Sequence, residues 1–84
     1  MTSFLKFNYT NGTEIELRVI VEPWAEQFVI KPGQLVEILV QGANTDDVVE
    51  IEQLPTGLTV YGYHGCIISI SSNGKELVPS AQKY

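Results

Sequence analysis

The feature that most constrains the fold is a series of short β-branched runs, each separated from the next by Gly, Pro or Asn. Val, Ile, Thr and aromatic residues are favoured in strands, whereas Gly, Pro and Asn are typical of turns. A helical spacing of apolar residues is almost missing from the chain. The pattern therefore predicts an all-β fold, a small antiparallel β-sandwich or barrel of roughly six to seven short strands.

A chain of 84 residues can form one hydrophobic core, and we expect residues 1–84 to be a single β domain. Cys66 is the only cysteine, so an intramolecular disulfide cannot form. Small domains without such a cross-link often gain stability by association. The sequence therefore favours a homo-oligomer, most simply a homodimer.

A first hairpin is predicted around the three-residue loop Thr10-Asn11-Gly12. With Gly12 in a left-handed conformation, this loop pairs Phe7 with Ile15 on one apolar face. A two-residue loop would instead place Phe7 opposite Glu16 and mix core with charge. The hydrophobic pattern favours the three-residue loop.

A second hairpin of the same design is predicted around Tyr63-His64-Gly65. With these residues as the loop, Val60 lies opposite Ile68 on the core face. Tyr61 and Ile67 then lie opposite each other on the second face. The outward apolar pair is unusual for a sheet that faces water.

Further turn signals divide the rest of the chain. Lys31-Pro32-Gly33 is typical of a type II turn. Asn73-Gly74 is typical of a two-residue type I′ turn, which pairs Ile70 with Leu77. The strands between the turns are expected to bury a set of aliphatic residues: Val36, Ile38, Val40, Val49 and Ile51.

His64 and Cys66 are the only pair of soft metal ligands. One histidine and one cysteine do not complete a zinc or blue-copper site. The second hairpin places His64 at its tip and points Cys66 into the core, so the two diverge. A Cys-His nucleophile would also lack a third group to orient the base. We therefore expect no cofactor, no metal site and no catalytic residue. The sequence disfavours an enzyme and leaves open, as a third alternative, a small enzyme with a concave pocket lined by polar groups.

A cluster of carboxylates follows the middle of the chain: Asp46, Asp47, Glu50 and Glu52. Its spacing does not match a calcium-binding loop, and we expect an exposed charged face that protects a sheet edge.

The net charge of −5 disfavours nucleic-acid binding. No apolar run reaches the ~20 residues that span a bilayer, and the first residues do not resemble a signal peptide. These features predict a cytoplasmic protein with neither nucleic acid nor membrane as a partner.

The segment Glu22–Glu26 holds the only tryptophan at a corner between strands. Together with other outward apolar residues it forms a second, aromatic face, and we predict the binding residues to be Trp24, Tyr61, Tyr63 and Ile67. Such a face indicates a non-catalytic protein-binding or assembly module that self-associates. In the structural alternative, Trp24 closes one end of the sandwich. In the functional alternative, a small-ligand or metal-binding β-barrel uses His64 or the acidic cluster as ligands.

Two stretches carry a resemblance to known proteins. The stretch 22–28, followed by the turn at Pro32-Gly33 and the late strand 60–63, resembles small bacterial all-β proteins with a Pro-Trp corner and a Pro-Gly turn. That resemblance implies shared structure and no activity. The rhythm of residues 28–34 is also similar to cupredoxins and cupins, but the chain lacks their histidine sets, so their metal chemistry is not implied.

Overall fold

The computed structural model describes residues 3–43, 48–63 and 65–79. It confirms an all-β sandwich of two packed sheets. The described residues form eight strands rather than six or seven: β1 Ser3–Thr10, β2 Leu17–Glu22, β3 Glu26–Ile30, β4 Leu35–Ala43, β5 Glu50–Leu54, β6 Gly57–Tyr61, β7 Ile67–Ser72 and β8 Lys75–Glu76. Within this described part, no helix is long and apolar enough to cross a membrane.

Each sheet has four strands. The first sheet has the order β1-β4-β7-β8, and the second has the order β3-β2-β6-β5. Neighbouring strands are antiparallel, except that β2 and β6 run parallel, with Val19 beside Leu58. The second sheet is therefore mixed, which differs from the antiparallel arrangement expected from the sequence.

The first predicted hairpin is wrong. β1 pairs with β4, which places Phe7 opposite Ile38, whereas β2 belongs to the other sheet. Ile15, the predicted partner of Phe7, lies in the connection between the sheets and is 58% exposed. Gly12 does not take a left-handed conformation. Alternation identified the core face of β1 correctly, but any strand of matching alternation can serve as its partner.

Asn11 does not form a hairpin turn but is fully buried where the chain leaves the first sheet. Its Nδ2 donates to the carbonyls of Ile15 at 2.8 Å and Ile30 at 3.0 Å. Its Oδ1 accepts from the backbone N–H of Thr13 at 2.9 Å and from the Thr13 hydroxyl at 2.7 Å. The backbone of Asn11 hydrogen-bonds to residues 33–34, in the turn that precedes β4. One side chain therefore links β3 to the crossover that follows β1.

The second predicted hairpin is also wrong, because β6 and β7 lie in different sheets. Val60 is in the second sheet, and Ile68 pairs with β4 in the first. Two local features are nevertheless confirmed: Gly65 is left-handed with φ +87°, and Cys66 is buried. The predicted position of His64 lies outside the described residues.

Both short turns are confirmed. In the turn 31–34 the amide of the last residue donates to the carbonyl of the first at 3.0 Å, and Gly33 has φ +77°. The two residues of the turn 73–74 have φ +53° and +77°, as a type I′ turn requires. The Leu77 amide donates to the Ile70 carbonyl at 2.8 Å, which is the predicted pairing.

The core lies between the sheets and is built by Val19, Val21, Phe28, Ile30, Val36, Ile38, Leu58, Val60 and Ile70. The predicted burial of the three β4 residues is confirmed. Val49 is half-buried and packs against this core. Ile51 is 47% exposed, contrary to prediction, because the end strand β5 lies outside the core along its whole length, with four residues exposed and the last half-buried.

Candidate functional site

Trp24 lies in the tight connection between β2 and β3, which contains a cis peptide bond before Pro23. Its side chain is 45% exposed. The residue therefore contacts the fold on one side and offers a large apolar surface to its surroundings on the other. Both predictions for Trp24, a plug that closes the sandwich and a binding residue on an aromatic face, are compatible with this placement.

Close packing over Gly62 holds the tryptophan ring in place. A Cβ on Gly62 would lie 2.9 Å from the Cys66 sulfur, 3.0 Å from the Trp24 ring and 3.1 Å from the Ile68 Cδ1. The Gly62 amide also donates to the Glu22 carbonyl at 2.7 Å. The missing side chain at position 62 therefore lets Trp24 pack over the backbone that follows β6, beside residues of β7.

Trp24 and Ile67 line one groove of about 310 Å³. The remaining lining residues are Glu26, Cys66 and Ile68. Ile67 is on the outer face of the first sheet and is 64% exposed. The groove is therefore mainly apolar and has one carboxylate at its border.

Phe4 adds a third exposed apolar side chain on the same end of the molecule. In the sheet ladder, Gln41 pairs with both Phe4 and Ile67, so all three share one face. Two strand spacings place Phe4 about 10 Å from Ile67. Phe4 is 67% exposed. We refer to Phe4, Trp24 and Ile67 together as the apolar end.

Tyr61 is not part of the apolar end. It lies on the outer face of the second sheet, in register with Glu50 and Glu22, so its predicted opposition to Ile67 is wrong. Its hydroxyl donates to the Glu52 Oε1 at 2.7 Å. This hydrogen bond raises the pKa of Tyr61, with smaller contributions from burial and from nearby glutamate charges. The phenol therefore serves as a neutral donor beside acidic side chains.

Tyr63 is half-buried beside Cys66. Its N–H donates to the Cys66 sulfur at 3.3 Å, and its carbonyl accepts from the Cys66 amide at 3.1 Å. The structure thus brings Trp24 and Ile67 together in one groove and places Tyr63 in the turn that ends at Cys66, another lining residue of that groove. Tyr61 lies on another face. The role of all four as binding residues stays a prediction.

Charged residues of the described ranges form no cluster of three or more His, Cys, Asp or Glu that could hold a metal ion. Glu50 and Glu52 are exposed on the end strand β5. Asp46 and Asp47, which complete the acidic cluster in the sequence, lie outside the described residues.

Phe4 is the member of the apolar end that the sequence did not identify. The alternation of β1 assigns Leu5 and Phe7 to the core, so Phe4 falls on the solvent face, where an isolated apolar residue is common. Its position beside Ile67 depends on the pairing of β4 with both β1 and β7.

The chain matches no protein-family model, no curated protein and no solved structure.

Proposed function

We propose that this domain is a non-catalytic protein-binding module that takes up its partner at the apolar end. The observation that carries the proposal is the exposure of Phe4, Trp24 and Ile67 on one end, by 67%, 45% and 64%. Large apolar side chains collected at one site indicate an interaction surface, whereas isolated ones are ordinary.

The size of this surface sets what else the partner must contribute. Covering these three side chains removes on the order of 300 Å² of apolar area from water, worth roughly 8 kcal/mol before the costs of association. Those costs are of similar size, about 4–15 kcal/mol. The apolar end therefore supplies an anchor, and stable binding also needs polar contacts around it.

Charge favours one class of partner. Glu26 borders the groove, and the whole chain carries a net charge of −5. Opposite charges at the rim of an interface favour encounter and orientation. The expected partner segment places an aromatic or large aliphatic side chain in the groove, with Lys or Arg beside it.

Panning a peptide library displayed on phage against the purified protein tests this proposal. We expect enriched peptides to share an apolar anchor next to a basic residue. Their affinity for the Ile67→Ser variant should be at least about tenfold lower, which corresponds to losing ~1.4 kcal/mol of anchor burial. Ile15→Ser is the matched control, because Ile15 is 58% exposed in the crossover after β1 and is not part of the apolar end.

Two outcomes would count against the proposal: no enrichment above background, or enriched peptides that bind the Ile67→Ser variant as well as the native chain.

Self-association through the apolar end, which the sequence favours, stays a separate prediction. Sedimentation of the Ile67→Ser variant tests it, since loss of a native dimer in this variant alone would place the contact there.

A further inference from the structure

The unprotected edge of β1 differs from the other sheet ends of the described residues. β1 is eight residues long and carries one charged residue, Lys6, and no proline. The other end strands are shorter and more charged: β3 has five residues with Glu26, β5 has five with two glutamates, and β8 has two, both charged. Proteins usually shield an edge strand by shortness, charge or proline, because its free backbone groups can pair with another chain.

The charge of Lys6 is partly neutralised within its own sheet. Its Nζ lies 3.7 Å from the Glu37 Oε2 on β4. The pairing of β1 with β4 shifts register between Ser3 and Phe4, at the extreme end of the strand, and is regular from Phe4 to Thr10. Residues 4–10 therefore form a regular, nearly uncharged edge.

The core face of the same strand is incompletely covered. Leu5 is 47% exposed, although Val40, its neighbour in the ladder, is fully buried. Phe7 and Tyr9 follow on the same face and are half-buried. A strand added beside β1 would cover these three side chains and satisfy the free backbone groups together.

We propose that two copies of this chain associate through antiparallel pairing of their β1 strands, which joins the two first sheets into one continuous sheet. The proposal goes beyond the binding role of the apolar end and does not depend on it. The occupant is a second copy because β1 is complementary to itself in one register, as follows from the positions of its side chains.

Symmetry restricts the register. A twofold axis perpendicular to the sheet keeps both cores on the same side. It must lie midway between the two copies of one β1 residue, since facing residues share a side. An axis at Lys6 would oppose two like charges, whereas an axis at Phe7 places Lys6 opposite Asn8 of the other copy. The axis at Phe7 also pairs all residues from Phe4 to Thr10. About six to eight ladder hydrogen bonds then form, depending on which alternate residues face the free edge.

The same register covers the exposed core-side residue of β1. Leu5 of each copy lies opposite Tyr9 of the other, an aliphatic-aromatic pair of the kind that stabilises antiparallel sheets. Phe4 lies opposite Thr10, so its ring stays at the end of the paired strands. Trp24 and Ile67 are not on β1 and remain accessible, and the dimer offers two copies of their groove.

Disulfide cross-linking tests the register directly. Lys6→Cys and Asn8→Cys proteins, mixed under mild oxidation, should form a mixed disulfide dimer, because these positions face each other across the axis. Lys6→Cys alone should not cross-link efficiently, because its two copies are about 8 Å apart, beyond the ~7 Å limit between Cα atoms. Cys66 is buried and present in every sample, so unsubstituted protein gives the background.

Sedimentation velocity over micromolar concentrations tests the association without oxidation. We expect a native dimer, and Asn8→Lys should weaken it about tenfold by placing two Lys pairs across the axis. Thr56→Lys makes the same charge change at an exposed turn of the other sheet and should leave the dimer unchanged.

A native chain that stays monomeric would overturn the proposal. So would a dimer that Asn8→Lys does not weaken, or cross-linking of Lys6→Cys with itself as readily as with Asn8→Cys. A dimer abolished by Ile67→Ser instead would assign self-association to the apolar end. The sedimentation and cross-linking measurements do not depend on peptide binding at the apolar end. Failure of the binding proposal therefore leaves the dimer proposal testable, and the reverse also holds.

Discussion

Replacing Asn11 tests whether a single buried amide secures the crossover between the sheets. Asn11 is completely buried, and all four hydrogen-bonding positions of its side-chain amide are occupied. Asn11→Ala removes both bonds donated to the Ile15 and Ile30 carbonyls. It also removes the acceptor of the Thr13 backbone N–H.

The expected loss follows from how well water can replace each bond. The bonds to the carbonyls are buried or partly buried and contribute about 1 kcal/mol each, with a further penalty for any carbonyl left without a donor. The Thr13 groups are closer to solvent and lose less. We therefore expect Asn11→Ala to lower the free energy of unfolding by about 2–3 kcal/mol. For a domain of this size, that shift lowers the Tm by roughly 10–20 °C.

Asn11→Asp separates the loss of donors from the loss of volume. The carboxylate has nearly the same shape but offers acceptors where the two carbonyls need donors, so at neutral pH it should destabilise more than alanine. Burial beside these carbonyls raises the pKa of the new carboxyl above its value in the unfolded chain. The variant is then most stable below the unfolded pKa and loses stability as the pH rises through the folded pKa.

Urea unfolding followed by Trp24 fluorescence measures these changes. Gln41→Ala is the control, because it truncates an exposed amide on β4 and should change stability by less than about 0.5 kcal/mol. An Asn11→Ala protein within that same range of the native chain would refute the idea that this side chain fastens the crossover.

Three further predictions concern single positions. Gly57→Ala should lower the free energy of unfolding by about 3 kcal/mol or more, because Gly57 has φ +148° and a Cβ would overlap the backbone of β2. Urea unfolding measures this loss, and a midpoint close to that of the native chain would contradict the prediction. Gly62→Ala should lower the free energy of unfolding by about 1–3 kcal/mol and shift the fluorescence emission of Trp24, because its ring must move to make room for the new Cβ. Unchanged emission would argue against the packing of Trp24 over Gly62. Glu52→Ala should lower the raised pKa of Tyr61 toward 10.0, as measured by tyrosinate absorbance against a Tyr61→Phe reference. An unchanged titration in Glu52→Ala would exclude the hydrogen bond as the cause of the raised pKa. Because the pKa of Tyr61 is raised in the fold, its contribution to stability is complete below the unfolded pKa and is lost as the pH rises through the folded pKa.

The sequence predicted local structure well and strand pairing poorly. The turns at 31–34 and 73–74 were correct because their glycine and asparagine conformations are set by neighbouring residues. The side of each β4 residue was also correct, since alternation fixes which residues face the core. Both long hairpins were wrong because alternation carries no information on which strand is the partner. Asn11, placed in a turn by its local context, is instead held by the distant Ile30 carbonyl.

The candidate site shows the same division. Trp24 and Ile67 were singled out as apolar residues in positions that face solvent, and the structure brings them to one groove. Their meeting depends on close packing over Gly62, which no local pattern reveals. Tyr61 was grouped with them through a register that the fold does not adopt, and its hydrogen bond to Glu52 places it among acidic side chains instead.

The order of the strands divides each sheet between the two halves of the chain. β1 to β4 supply two adjacent strands to each sheet, and β5 to β8 supply the other two. The halves meet along a central seam, where β4 joins β7 and β2 joins β6. Each half therefore ends, in both sheets, on a strand whose inner edge is paired by the other half. Both sheets are thus completed by backbone pairing between the halves, in the way that a continuous sheet is completed across the interface of a dimer.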